Sequence, residues 1–105
     1  MNDKNSDAAA LETIHFLSGS QYRWEILETF AERETMTRQE VRDAVSASRS
    51  TVRRTVEAFI ERGLINSVAG GYRLTATGRF LADGLGEMVE RTRIVGAYEP
   101  LFGRL

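Results

Sequence analysis

Between Thr37 and Gly63 the chain reads TRQEVRDAVSASRSTVRRTVEAFIERG, and this stretch restricts the fold more than any other. Thr37-Arg38-Gln39-Glu40 has the form of a capping box, in which the first side chain and the fourth residue's carboxylate each satisfy a free backbone N–H. A helix therefore starts at Arg38, and Met36 and Val41 sit where a hydrophobic staple would bridge its start. Val41, Ala44 and Val45 give that helix a short buried face before Ser46-Ala47-Ser48 interrupts it. From Ser48 a longer amphipathic helix runs to Arg62, with Gly63 placed as its left-handed cap. Two helices joined by about three residues, the second longer and basic at its start, define a helix-turn-helix.

The flanking segments complete one small domain. Leu11, Ile14 and Leu17 repeat at helical spacing and close at Ser18-Gly19. Ser20 can cap a second helix whose Tyr22, Ile26, Leu27 and Phe30 share a face toward the core. Beyond Gly63, Leu64 to Val68 and Tyr72 to Leu74 read as two short strands around Ala69-Gly70-Gly71, where the paired glycines supply the positive φ of a tight hairpin. Thr75 can cap a last helix that continues toward Val95, weakened by Gly84 and Gly86 at up to about 1 kcal/mol each. Gly96, Pro100 and Gly103 predict an irregular end. The expected organisation is a flexible N-terminus over 1–10, a folded domain over 11–95 and an irregular tail over 96–105. The fold class is mainly α with a small two-stranded β wing.

Composition removes several classes of function. The 105 residues are 42% hydrophobic and 28% charged, which suits one domain with a modest core. With no cysteine and a single histidine, His15, the chain offers no disulfide, thiolate metal site or multi-histidine site. No apolar run approaches the roughly 20 residues of a membrane span, and the first ten residues lack the pattern of a signal peptide, so the expected location is cytoplasmic. No nucleophile elbow, phosphate loop or metal-ligand spacing accompanies the serines and acids, and neither enzymatic activity nor a cofactor is expected. The net charge is −1, yet 13 of the 14 basic residues are arginine and four fall between Arg49 and Arg62. Charge distribution, more than net charge, points to a partner.

With the order helix, helix, helix-turn-helix, hairpin, helix, and with SRSTVRRTVEAFIERGLI followed by GGYRLTATGRFLA, the chain resembles the winged helix-turn-helix transcriptional regulators. It is similar above all to haloarchaeal members related to the ArsR, MarR and IclR types, over roughly Leu11 to Leu85. In many of these regulators the module opens a longer chain with a C-terminal sensing domain. The resemblance implies a sequence-specific regulator that binds double-stranded DNA, and it names no effector. A winged-helix module that binds protein within a transcription-related assembly is the alternative, since fold alone does not decide function.

On a wheel at roughly 100° per residue, Val52, Val56, Phe59 and Ile60 form the core side of the basic helix and Arg54 lies nearly opposite. Ser50, Thr51 and Arg54 are therefore expected to face bases, where arginine bonds guanine bidentately and hydroxyls donate or accept. Arg49 and Arg53, nearer the edges, fit phosphate contacts. Arg38 at the preceding helix start and Arg73 on the wing are further candidates, and Arg42 is a weaker one. The competing structural explanation pairs Arg53 and Arg54 with Glu57 one turn on. Leu81, Leu85, Met88, Thr92 and Val95, spaced 4, 3, 4, 3, form a two-heptad seam that would make a homodimer, or would instead cover Tyr22, Trp24 or Phe30 of the same chain.

Overall fold

The computed structural model describes the backbone of residues 3–102 and the side chains of residues 8–93. Five helices and a hairpin follow in the order α1 (Asp3–Ser18), α2 (Gln21–Glu32), α3 (Arg38–Val45), α4 (Arg49–Glu61), β1 (Ile65–Val68), β2 (Gly71–Leu74) and α5 (Ala76–Phe102). The capping box at α3 forms on both sides: Thr37 Oγ1 accepts from the Glu40 N–H at 3.1 Å, and Glu40 Oε1 accepts from the Thr37 N–H at 3.1 Å. Met36 and Val41 are both fully buried beside it, as a staple requires. Ser46 ends α3 in the left-handed region, at φ 52°, and Ser48 then caps α4 by accepting from the Thr51 N–H at 3.1 Å. Ala47 between them is buried, so the turn is held by one apolar anchor and one hydroxyl cap.

β1 and β2 pair antiparallel, with Ile65 opposite Leu74 and Val68 opposite Gly71. The hairpin is fixed at two ends. Met36, just before α3, exchanges two hydrogen bonds with Tyr72: Tyr72 N–H to Met36 O at 2.8 Å and Met36 N–H to Tyr72 O at 2.9 Å. Gly71, at φ 141°, is required here, because a Cβ would collide with the Met36 carbonyl. At the other end Thr75 Oγ1 donates to Gly63 O at 2.6 Å and accepts from the Gly78 N–H at 3.0 Å, tying the end of α4 to the start of α5. A side chain on Gly78 would land on the Leu64 carbonyl.

The core is built from Leu17, Ile26, Leu27, Phe30, Met36, Val41, Val52, Val56, Phe59, Leu64 and Ile65. Several expectations are corrected here. The backbone is helical from Asp3, well before Leu11, and α5 runs through Gly96 and Pro100 to Phe102, where an irregular tail was expected; residues 103–105 lie outside the described part. Gly84 and Gly86, at up to about 1 kcal/mol each, do not interrupt the helix that the Thr75 side chain caps. Ala44 on α3 and Tyr22 at the start of α2 are exposed, not buried. Ser20 occupies the N-cap position of α2, but its side chain makes no capping bond. Phe80 is 77% exposed, while Leu81, Ala82 and Leu85 turn inward.

Candidate nucleic-acid interface

The burial of α4 differs from the wheel in one respect. Thr55 is 8% exposed and packs inward, whereas Ile60 is 41% exposed. Replacing Ile60 by Thr55 in the buried set turns the core face by roughly 35° at 100° per residue. The outward direction moves accordingly from Arg54 toward Ser50. Ser50, Arg53 and Arg54 are exposed on either side of it, Arg49 is exposed at the helix start, and Thr51 is only half exposed. Periodicity alone could not have found this, since threonine is polar on any scale and isoleucine apolar; which of them is covered is decided by the neighbours α4 packs against.

An open cleft of about 690 Å³ separates the start of α3 from the start of α4, and Arg38, Arg42, Arg49, Arg53, Ser48 and Ser50 line it. The turn at Ser46 to Ser48 folds the two helix starts to the same side, which is why arginines up to fifteen positions apart in sequence converge. Arg38 also lies over the Tyr72 ring, 5.7 Å from its centroid, so the wing abuts this cleft within cation–π reach. Arg42 bonds the Gln39 side chain, and Gln39 Nε2 donates to Asp43 at 2.8 Å. Arg73 projects outward from β2 opposite Asn66, while Tyr72 and Leu74 on either side are partly covered. Thr51 and Arg54 lie on the other flank of α4, beside Ser20 and Arg23 of α2. The sequence reading gave Arg42 little weight and passed over Gln39, Ser20 and Arg23; only the helix packing brings them alongside α4.

These arginines take no part in the ion pairs of the described residues. Among the described residues the pairs are Arg33–Glu40, Arg62–Glu12, Arg91–Glu87 and Arg93–Glu90, all away from the outer face of α4. Arg53 and Arg54 form no ion pair with Glu57. The Arg54 Nε instead donates to Ser50 O at 3.4 Å, a long bond that leaves the other guanidinium N–H groups free. The two carboxylates that are perturbed sit elsewhere: the Thr37 backbone N–H holds Glu40 below the usual carboxylate range, and the Arg62 guanidinium does the same for Glu12. No group of acids and histidines suited to a metal ion occurs among the described residues. No helix there is long and apolar enough to cross a membrane.

The seam on α5 divides. Leu81 and Leu85 pack on the core of their own chain, whereas Met88 is 62% exposed and Thr92 is exposed; the Val95 side chain lies outside the described residues. The first half of the seam thus takes the intramolecular role. Val89 and Leu85 instead face Ile14, Leu17 and Trp24 across a cleft of about 300 Å³ between α1 and α5.

A helix-turn-helix followed by a two-stranded wing and flanked by helices at both ends defines a winged-helix protein. Residues 11–95 match the family described as HVO_A0261 N-terminal domain, and the chain belongs to that family. No curated protein matches it. Among solved structures it is similar to ligand-free NadR, at 22% identity and TM-score 0.68, over 96% of this chain and 79% of that one. It is similar to a MarR family transcriptional regulator from Silicibacter pomeroyi DSS-3, at 23% identity and TM-score 0.66, over 93% and 78% of the two chains. A MarR family protein of Mycobacterium tuberculosis gives 16% identity and TM-score 0.66, over 90% and 76%. The fold is therefore that of the MarR family winged-helix proteins.

Proposed function

We propose that the chain is a sequence-specific DNA-binding transcriptional regulator, or the DNA-binding domain of one, without catalysis of its own. The observation that carries this reading is the set of four arginines, Arg38, Arg42, Arg49 and Arg53, that line one cleft beside the capped start of α4 with no carboxylate among the lining residues. Unpaired guanidinium groups repel one another, and a surface that keeps them together is stabilised by an anion. A phosphate backbone supplies anions at regular spacing. α4 is read as the helix that enters the major groove, with Ser50 and Arg54 toward the bases and Thr51 at the margin. Arg49, Arg53 and Arg38 hold the backbone on the α3 side, and Arg73 places the wing on the backbone or in the adjacent minor groove.

The exposed residues Leu11, Ile14, Phe80, Met88 and Val89 on α1 and α5 support a homodimer joined through these two helices. Two copies would place two α4 helices in successive major grooves about 34 Å apart. The test is binding to a duplex as a function of salt. The wild type should bind with an affinity that falls steeply as salt rises, and Arg49→Ala should flatten that dependence by about one unit of log–log slope on every duplex. Absence of binding to any duplex at low salt overturns the reading in favour of a protein-binding module.

A further inference from the structure

The flank of α4 that faces α2 carries a second cleft, of about 280 Å³, lined by Ser20, Arg23, Thr51, Arg54 and Thr55. Three of these residues carry donors that the described residues leave at least partly unused. Thr55 is 8% exposed, and its hydroxyl has no hydrogen-bond partner among the described residues. No sealed polar side-chain atom is left unsatisfied among the described residues, so that hydroxyl retains some exposed surface, and Thr55 lines the cleft. Ser20 stands at the N-cap of the 12-residue helix α2 without using its side chain as a cap, and no acidic residue occupies the first turn. Its hydroxyl and the first N–H groups of α2 are thus donors without an internal acceptor. Arg23 is held in place, with one N–H donated to Phe16 O at 2.9 Å and the guanidinium 4.2 Å from the Phe16 ring centroid, and it forms no ion pair among the described residues. Arg54 completes the set from the opposite wall.

We propose that this cleft binds a phosphodiester group of the DNA strand opposite the one held by the α3-side arginines, with Ser20, Arg23 and Thr55 as contacts. The proposal rests on the DNA-binding reading above and deepens it. A helix in a major groove about 12 Å wide has a phosphate strand along each flank. The two clefts lie on the two flanks of α4, one along Arg49 to Arg53 and the other along Thr51 to Ala58. A hydroxyl, a backbone N–H set at a helix start and an oriented guanidinium are the donors that a phosphate takes. The cleft's surface is mainly polar, unlike the mainly apolar walls of a buried organic-ligand site.

Ser20→Asp tests it without disfavouring the helix, because aspartate suits the N-cap position and the helix dipole. The aspartate carboxylate would pair with Arg23 and repel phosphate. For a duplex of random sequence, the slope of log affinity against log salt should flatten by about 0.9 relative to wild type, the value of one lost phosphate contact. Thr55→Val, which removes only the hydroxyl, should weaken binding to all duplexes alike. Arg53→Ala, on the other flank, reports whether the DNA reading itself holds. If wild type binds no duplex, the proposed function fails. If wild type binds and Arg53→Ala flattens the slope, while folded Ser20→Asp and Thr55→Val both behave as wild type, the second cleft is not a DNA contact. Saturable shifts of the Ser20 and Thr55 amides with inorganic phosphate, combined with wild-type duplex binding by both variants, would assign the cleft to a free anion and overturn the proposal.

Discussion

Arg54 and Arg53 are neighbours in sequence and stand on opposite flanks of α4, Arg53 in the cleft shared with Arg38 and Arg54 in the one shared with Arg23. Their substitutions should therefore differ in kind. Arg54→Ala is expected to weaken binding to the preferred operator by roughly 1 to 3 kcal/mol and to relax preference at one base pair, whereas Arg53→Ala should weaken all duplexes to a similar degree. A panel of single-base operator variants distinguishes them, and identical profiles would sink the division of roles. Ser46 offers a stability counterpart. It is the one non-glycine residue with positive φ among the described residues, and a left-handed L-residue is disfavoured by roughly 1 to 2 kcal/mol. Ser46→Gly should raise the unfolding free energy by something under about 1 kcal/mol, because glycine also gains entropy in the unfolded chain. Thermal melts of the two proteins check the sign; a lower midpoint in the variant would mean that the Ser46 side chain contributes more than the strain removes.

At the scale of elements, the start of α3 has a pH signature. Glu40 is held below the ordinary carboxylate value of 4.5, first by the Thr37 backbone N–H and then by the Thr37 side chain. A depressed folded pKa means that the unfolded state takes up the proton more readily, so this contribution is complete above pH 4.5 and is lost as pH falls through the folded value. Glu12, lowered chiefly by its hydrogen bond to Arg62 where α1 meets the end of α4, behaves in the same sense. Glu40→Gln preserves the capping geometry without the titration. Its stability should fall less steeply than wild type's between about pH 5 and pH 3, measured by denaturant unfolding at each pH. Parallel curves would mean that Glu40 is no better bonded in the folded state than in the unfolded one. The wing is set by the same connector: Met36 pairs with Tyr72 immediately before the cap, so α3 and the hairpin are positioned together.

At the scale of the whole molecule, apolar side chains stay exposed on both terminal helices: Leu11 and Ile14 on α1 and Phe80, Met88 and Val89 on α5, and these are the helices through which a second copy is proposed to pair. Leu85 is an unsuitable site for testing it, because its side chain packs on the core of its own chain. Met88→Glu and Leu11→Glu touch exposed positions and should yield a folded monomer by sedimentation. Such a monomer should bind a single half-site weakly, since two linked contacts raise affinity through effective concentration. A wild-type protein that sediments as a monomer at tens of micromolar, or a variant that still dimerises, would remove these helices from the interface.

The order of elements was legible in the sequence because each was marked by local chemistry. The Thr37–Glu40 box, the Ser48 cap, Gly63 and the Gly70–Gly71 pair fix where backbone groups are satisfied or where φ turns positive, and such constraints act within a few residues. The same locality located the arginine-rich start of α4. What depends on packing was decided by the tertiary structure: that Thr55 is covered and Ile60 is not, that Phe80 turns outward while Leu81 and Leu85 turn in, and that α5 continues to Phe102. Helical periodicity gives a face to within about one residue step, whereas the neighbouring helix's tilt selects among residues at its margin. The convergence of Arg38, Arg42, Arg49 and Arg53, and of Ser20 and Arg23 with Arg54, needed three dimensions for the same reason: local rules say which way a side chain leaves its own helix, and only the packing of α2, α3 and α4 says what it meets there.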